Sequence, residues 1–289
     1  MRFPVRSLFT LPLPTGALRL GERPLVMGIL NVTPDSFAEA ESRIDPARSV
    51  DLALQMEAQG ADLIDIGGES TRPGSDPLSL EDELARVVPV VRDLGKRLRV
   101  PISIDTYKAG VARAVLDLGA SLVNDVSGLR FDPALAKVVA EHGAGLIVMH
   151  TRGRPKTMDS AATYENLVAE VASELKVSLD IARSAGVLFE RIVVDPGIGF
   201  AKRPEHSYGV LARLDWIAEA VERPVLVGPS RKSFLRSALD DRPAAERDWG
   251  TSAAVTGAVL AGAHVVRVHA VAEMVQVVKV AEEIRKHGT

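Results

Sequence analysis

Polar and charged side chains follow short apolar segments at regular intervals along this chain. Eight of them stand at or just after the end of such a segment, namely Asn31, Asp65, Asp105, Asn124, His150, Asp195, Lys232 and His269. A carboxylate at the end of a buried segment is costly to bury without a partner. Asp105 and Asp195 are therefore predicted to bind a ligand. His150 is equally consistent with a structural hydrogen bond and with a substrate contact.

Basic residues that follow glycine-rich runs predict an anion site. The runs at 67–68 and 195–199 permit close approach of the backbone to a ligand. Surface charge alone would explain any one basic group, but basic groups after three different apolar segments favour convergence on an anion. These groups are Arg72, Lys202, Arg267 and His269.

The apolar segments themselves are typical of strands buried on both faces, because they are rich in β-formers and lack clean alternation. They occupy residues 26–30, 62–66, 101–104, 121–124, 145–149, 191–194, 224–228 and 264–268. Segments of helical period lie between them, as at 45–61, 79–98, 131–144 and 164–186. Glycines that suit a left-handed helix end precede the next strand at Gly60, Gly119, Gly143, Gly186 and Gly262.

A strand and helix unit repeated about eight times predicts an α/β fold, the (β/α)8 TIM barrel, with active-site loops at the carboxyl ends of the strands. A doubly wound sheet is disfavoured because no Gly-x-Gly-x-x-Gly follows the first strand. Residues 1–289 are predicted to form one domain. Residues 1–24 form an extension with a short N-terminal β-hairpin, whose turn contains Gly16. Asp35, Asp45 and Asp132 are interpreted as N-caps of helices.

Composition excludes several classes of function. The net charge of -3 gives no basic surface for nucleic acid, and no apolar run reaches the roughly 18 residues that a membrane-spanning helix needs. The chain has no cysteine, which removes disulfides, thiolate metal sites and cysteine nucleophiles. A cytoplasmic protein without nucleic-acid or membrane partners is expected.

From about residue 24 to the end, the chain resembles the dihydropteroate synthases. It departs from the family pattern at residues 38–41, where Ser-Asp-Gly-Gly is common, at Ala201, often glycine, and at Ala270, often aspartate. The motifs that carry the resemblance are MGILNVTPDSF (27–37), DLIDIGGESTRPG (62–74), ISIDTYK (102–108), NDVSG (124–128), VMHTRGRPKTM (148–158), DPGIGFAK (195–202), GPSRKSFL (228–235) and RVHAV (267–271).

The resemblance implies an enzyme of folate biosynthesis that condenses (7,8-dihydropterin-6-yl)methyl diphosphate with p-aminobenzoate. A pterin can donate two parallel hydrogen bonds to a carboxylate, which suits Asp195. Asn124 and Asp105 are expected to bind the other ring nitrogens and Lys232 the carbonyl edge. Met149 and Phe200 are expected to form apolar walls.

The departing diphosphate gains negative charge, so catalysis is expected to act mainly on that group. The residues implied there are Asn31, Thr71, Arg72, Arg267 and His269. Mg²⁺ is expected as cofactor, with Asn31 as its main protein ligand, since this ion keeps several waters and uses phosphate oxygens. The catalytic set is Arg72, Asp105, Lys232, Arg267 and His269.

The amine of p-aminobenzoate is neutral at pH 7 and needs no strong base. Its carboxylate is expected at a helix start after Ser230, where backbone N–H groups favour an anion. The residues implied around this substrate are Phe37, Pro73, Phe200, Lys202, Ser230 and Lys232. The resemblance further implies competition by sulfonamides and a homodimer.

Two other functions stay open at this point. A corrinoid-dependent pterin methyltransferase shares the barrel and the pterin contacts but needs no diphosphate-binding groups. A pterin-binding module without turnover would be consistent with the altered segment at 38–41.

Overall fold

The computed structural model describes residues 3–33, 45–72 and 74–288. An antiparallel hairpin comes first and pairs β1 (Phe9–Leu13) with β2 (Gly16–Leu20). Gly16 closes the turn with φ +142°, a value that L side chains rarely adopt. The predicted N-terminal hairpin is therefore confirmed.

Eight parallel strands form the barrel in the order β8-β7-β6-β5-β4-β3-β10-β9. A bridge between Val194 and Val225 joins the two edges of this sheet and completes the ring. The predicted (β/α)8 barrel is confirmed. Its strands are β3 (Leu25–Asn31), β4 (Leu63–Gly67), β5 (Ile102–Asp105), β6 (Leu122–Asp125), β7 (Gly145–Met149), β8 (Ile192–Asp195), β9 (Leu226–Val227) and β10 (Val265–Val268).

Helices cover the outside of the barrel, and four of them lie within the helical segments predicted at 45–61, 79–98, 131–144 and 164–186. They are α1 (Pro46–Ala58), α2 (Leu80–Leu94), α3 (Ala109–Leu116), α4 (Leu135–Glu141), α5 (Leu167–Ser184), α6 (Pro204–Ala212), α7 (Leu214–Val221), α8 (Asp248–Leu260) and α9 (Val271–His287). The five glycines predicted to end helices all have positive φ, from +59° to +104°.

The N-cap predictions have different outcomes. Asp45 caps α1 by accepting a hydrogen bond from the Ala47 N–H at 2.9 Å, as predicted. Asp132 was the wrong choice for α4, whose N-cap is Ala134. Its carboxylate accepts instead from the N–H groups of Ala109 and Ala134, so it binds the start of α3 and the turn before α4. Asp35 lies outside the described residues.

The hairpin closes the amino-terminal end of the barrel. Leu11, Leu13 and Leu20 are buried against inward-facing strand residues such as Met27 and Leu63. A separate and larger core lies between the strands and the helices. Because the hairpin fills the amino-terminal end, the carboxyl ends of the strands are the expected place for a ligand. In the described residues, no helix has the length and apolarity to cross a membrane.

Candidate active site

Side chains of the three adjacent strands β4, β5 and β6, and of β10 beyond β3, meet in one hydrogen-bonded network inside the upper barrel. Asp65 Oδ2 accepts hydrogen bonds from Asn124 Nδ2 at 2.9 Å and from Arg267 Nε at 2.6 Å. Arg267 Nη2 donates to Asp105 Oδ2 at 2.8 Å. Two carboxylates, an amide and a guanidinium are thus held together at the barrel mouth.

Strand alternation explains why these side chains point inward. Successive side chains of a strand face opposite sides of the sheet. Ile64 and Ile66 pack in the core between strands and helices, so Asp65 between them faces the barrel interior. Val266 and Val268 likewise face the helices and turn Arg267 inward. The strand register also pairs Asp105 with Asn124 and Gly67 with Asp105.

Burial changes the proton affinity of one member of the network, Asp105. It raises the pKa of Asp105 to about 7, with the positive charge of Arg267 opposing and the negative charge of Asp65 adding to the rise. Asp105 Oδ1 is buried and has no hydrogen-bond partner among the described residues. A buried acceptor without a partner is costly, so a ligand N–H at this point would remove the cost.

Asp195 and Lys232 form the opposite side of the mouth. Asp195 Oδ1 accepts from the Gly197 N–H at 2.7 Å, and burial raises the pKa of this carboxyl while the Lys232 charge opposes. Burial also lowers the pKa of Lys232 to about 8, against the attraction of Asp195. Lys232 Nζ donates to the Ile198 carbonyl and lies 4.5 Å from the centre of the Phe200 ring.

The loop after β8 has a tightly constrained backbone. Gly197 adopts φ +70°, and a Cβ at this position would lie 1.9 Å from the His150 carbonyl oxygen. Ala201 is buried and also adopts a positive φ, +47°. Residues without a Cβ adopt such angles at lower cost, which explains why glycine suits this position in the family that the sequence resembles.

Lys202 and His150 form a buried pair beneath this loop. Lys202 Nζ lies 2.7 Å from His150 Nδ1 and donates to the Phe200 carbonyl at 3.1 Å. Burial lowers the pKa of Lys202 to about 7 and that of His150 to about 4, so the imidazole is neutral and can accept from the ammonium. His150 Nε2 lies 3.2 Å from Glu174 Oε2, outside hydrogen-bond geometry.

This placement favours the structural interpretation of His150. Lys202 is only 7% exposed, so a ligand would have to draw its amine away from two partners. Its predicted contact with p-aminobenzoate stays a prediction. Predictions for Phe37 and Pro73 fall outside the described residues.

An apolar cluster lines the mouth beside the network. Met149, expected there from the sequence, packs with Tyr107 and Val126, and Phe200 and Phe131 cover them. The Tyr107 and Phe131 rings meet edge to face with centres 5.3 Å apart. Tyr107, Val126 and Phe131 were missed by the sequence analysis, although Tyr107 and Val126 come two residues after the strand-end residues Asp105 and Asn124.

Ser230 and His269, both predicted to bind anionic groups, lie in contact. Ser230 Oγ lies 2.9 Å from His269 Nδ1 and accepts from the His269 N–H at 3.2 Å. Burial lowers the pKa of His269 to about 3, and the positive charges of Arg231, Arg267 and Arg72 add to this. His269 is therefore neutral near pH 7.

The helix expected directly after Ser230 is absent from that position. Arg231 instead adopts φ +57°, and a short 3₁₀ helix begins at Ser233. Two hydrogen bonds from Arg231 to Asp248, at 2.7 Å each, and one from the Arg231 N–H to Thr251 hold this turn against α8. The predicted anion site there therefore depends on turn N–H groups and side chains and not on an α-helix dipole.

Asn31 is the last residue of β3, and Thr71 and Arg72 lie in the loop after β4. A Cβ on Gly67 would lie 3.5 Å from Asp105 Cβ and 3.9 Å from Asn31 Oδ1, so Asn31 borders the network. Thr71 is half-buried and Arg72 exposed. Across residues 3–33, 45–72 and 74–288, no group of three His, Cys, Asp or Glu side chains could hold a metal ion.

Comparison with known proteins gives a consistent result. A model of the pterin binding enzyme family matches residues 27–269. The dihydropteroate synthase of Synechocystis is 45% identical over 278 residues, which cover 96% of each chain. Dihydropteroate synthase of Burkholderia cenocepacia, solved with 7,8-dihydropteroate, is 41% identical with a TM-score of 0.87, covering 97% of this chain and 98% of that one. The Yersinia pestis enzyme, solved with a sulfonamide drug, is 38% identical with a TM-score of 0.90, covering 96% and 100%.

Proposed function

Because the chain belongs to the family of pterin binding enzymes, we propose that it is a dihydropteroate synthase. It condenses (7,8-dihydropterin-6-yl)methyl diphosphate with p-aminobenzoate to give 7,8-dihydropteroate and diphosphate. The observation that carries this proposal is the hydrogen-bonded network in which Asp65 binds both Asn124 and Arg267. The amide of Asn124 suits a heterocycle, and the guanidinium of Arg267 suits a diphosphate.

The pterin is held by acceptors that the protein leaves available. Asp195 uses Oδ1 for the Gly197 N–H, so Oδ2 can accept from the amino-pyrimidinone edge. Asn124 directs Nδ2 to Asp65, which leaves its carbonyl oxygen for a ring N–H. Asp105 Oδ1 accepts from a further ring nitrogen, and Met149 and Phe200 pack against the ring.

The reaction forms a C–N bond and breaks the C–O bond to the diphosphate, and the attacking amine releases one proton to the solvent. Arg267 and Arg72 stabilise the negative charge that develops on the leaving group, while Lys232 binds the carbonyl edge of the pterin. His269 is neutral, and a Ser230 hydroxyl that donates to Nδ1 leaves the proton on Nε2, where it can donate to the diphosphate. Thr71 adds a hydroxyl donor.

The residues present fit a Mg²⁺ ion that keeps most of its waters. Asn31 offers an amide oxygen beside the network and would hold the ion, consistent with the one or two protein ligands that Mg²⁺ uses with phosphates. When bound, the ion neutralises charge on the diphosphate.

We place p-aminobenzoate beside Phe200 and Lys232, with its carboxylate at the turn of Ser230. Phe37, Pro73 and Lys202 complete the set as the sequence predicts. Sulfonamides compete at this position, a proposal supported by the sulfonamide complex of the Yersinia pestis relative.

A cytoplasmic homodimer is part of the same proposal. The small residues at 250–263 support close helix packing, and the absence of cysteine suits the cytoplasm.

The direct test is turnover of the pterin diphosphate with p-aminobenzoate and Mg²⁺, followed by pyrophosphate release and by chromatography of dihydropteroate. Replacing Asp195 by Asn or Lys232 by Ala should lower kcat/KM by about 100-fold or more, because each removes a preorganised contact worth about 3 kcal/mol. Asp93→Asn is the control. Asp93 is an exposed carboxylate on α2, so this variant should behave as wild type.

Three results would contradict the proposal. Binding of the pterin without pyrophosphate release would indicate a non-catalytic module. Methyl transfer from a methylated pterin would indicate the corrinoid-dependent class. Unchanged turnover in both site variants would show that the assigned residues are not the active site.

A further inference from the structure

Asp65 is a buried carboxylate that binds a residue from each half of the site, Asn124 from the pterin half and Arg267 from the diphosphate half. We propose that Asp65 is a positioning residue that directs Asn124 toward the heterocycle and Arg267 toward the diphosphate, so that the two subsites keep a fixed relation. This inference rests on the proposed function.

The geometry of Asp65 supports an indirect role. Its side chain is fully buried, and the single oxygen Oδ2 accepts from both Asn124 Nδ2 and Arg267 Nε. The two donors belong to β6 and β10, which flank β4 at some distance on either side in the sheet order. Asp65 therefore links strands that do not pair with each other.

Asn124 depends on this contact for the orientation of its amide. An amide can present either its oxygen or its nitrogen, and the hydrogen-bond network decides which. With Nδ2 held by Asp65, the carbonyl oxygen must face the ligand. Without an acceptor at Asp65, the amide could turn and offer a donor where the ring N–H needs an acceptor.

Arg267 depends on Asp65 for the direction of its guanidinium plane. Nε is held by Asp65 and Nη2 by Asp105, which leaves Nη1 without a hydrogen bond to the described residues. Because the guanidinium is planar, holding two of its nitrogens also fixes the direction in which the third nitrogen donates. Nη1 is then the donor for the diphosphate.

The test measures two ligands separately on folded protein. We would titrate 6-hydroxymethyl-7,8-dihydropterin alone, and pyrophosphate with Mg²⁺ alone, by calorimetry into wild type, Asp65→Leu and Asp65→Asn. Leu has a similar size but no acceptor, so both affinities should fall at least about tenfold. Asn keeps an acceptor oxygen but loses the charge, so both should fall by about threefold, an intermediate effect.

Ser103→Ala is the matched control. Ser103 pairs with Asp65 in the strand register and is fully buried, and its hydroxyl makes no hydrogen bond to the described residues. Its replacement should leave both affinities within about twofold of wild type. A thermal unfolding curve for each variant separates lost affinity from lost folded protein, since a merely structural role would lower Tm without weakening binding per folded molecule.

The outcomes separate this inference from the proposed function. If Asp65→Leu lowers the affinity for only one of the two ligands, or for neither, the inference is overturned. If Asp65→Leu does not fold, Asp65→Asn decides, and unchanged affinity for either ligand overturns it. If wild type binds neither ligand and releases no pyrophosphate, the proposed function itself fails.

Discussion

Lys232 carries its positive charge at a half-buried position where two effects on its pKa compete. Burial lowers its pKa, and the negative charge of Asp195 partly restores it, with a result of about 8. The ammonium is therefore charged below about pH 8 and loses its proton as the pH rises through that value. If this charge binds substrate, as proposed above, activity should fall as Lys232 loses its proton.

We predict that kcat/KM for the pterin diphosphate falls as the pH rises through about 8, because kcat/KM reports the ionisation of the free enzyme. Lys232→Arg should remove this alkaline decline, even if its maximal rate is lower, since a guanidinium stays charged. Steady-state kinetics between about pH 6 and 10 would measure both profiles.

Lys202 provides the control for this assignment, because its pKa is lowered to about 7 by burial in the same region. Lys202→Met should keep the decline near pH 8. A decline that persists in Lys232→Arg but is lost in Lys202→Met would assign the titration to Lys202 instead.

Among the elements, the segment before β1 is attached to the last two helices by a buried ion pair. Arg6 donates to both carboxylate oxygens of Glu282 on α9, at 3.2 and 2.9 Å, and to the Val259 carbonyl on α8 at 3.3 Å. Both side chains are almost fully buried, at 1% and 8% exposed. Removing one partner leaves the other charge buried and unpaired.

We predict that Glu282→Ala lowers the free energy of unfolding by about 3–5 kcal/mol, measured by urea denaturation. The double variant Arg6→Met, Glu282→Leu should recover part of the loss, because it removes the Arg6 charge that Glu282→Ala leaves buried, although Arg285 still loses its contact with Glu282. Glu283→Ala on the same helix is the control. Glu283 pairs with Lys286 at the surface, so its replacement should not shift the urea midpoint. A double variant no more stable than Glu282→Ala would contradict this account.

Across the whole molecule, stability and chemistry are assigned to opposite ends of the barrel. The hairpin leucines pack into the amino-terminal end, whereas the polar network occupies the carboxyl ends of the strands. Barrel enzymes generally divide their two faces in this way.

We therefore predict that Leu11→Ala, which truncates a side chain only 1% exposed, lowers the free energy of unfolding by about 2–5 kcal/mol. Its kcat and KM should remain those of wild type at a temperature where the variant is folded. Thr10→Ala, on the exposed side of the same strand, should change neither property. A large change in KM for Leu11→Ala would show that the two ends are coupled.

Much of the fold follows from local patterns. Each apolar segment, its helix-ending glycine and the helical period between segments occupy neighbouring positions in the chain, so the sequence predicts the eight strands and the barrel. The same regularity places Asp105, Asn124, Asp195 and Arg267 at one rim, because strands of a parallel barrel all end on the same side. Two local interpretations were wrong. Asp132 does not cap α4, and no helix begins at Ser230.

Only the tertiary structure decided which polar groups are partners. Asp65 and Arg267 are 202 residues apart, and Lys202 and His150 are 52 apart. No local periodicity relates such positions, since their contact depends on how β-strands from distant parts of the chain are arranged around the ring. The sequence therefore determined which chemical groups reach the mouth of the barrel. Packing determined which of them are already hydrogen-bonded to the protein and which atoms are left for a ligand.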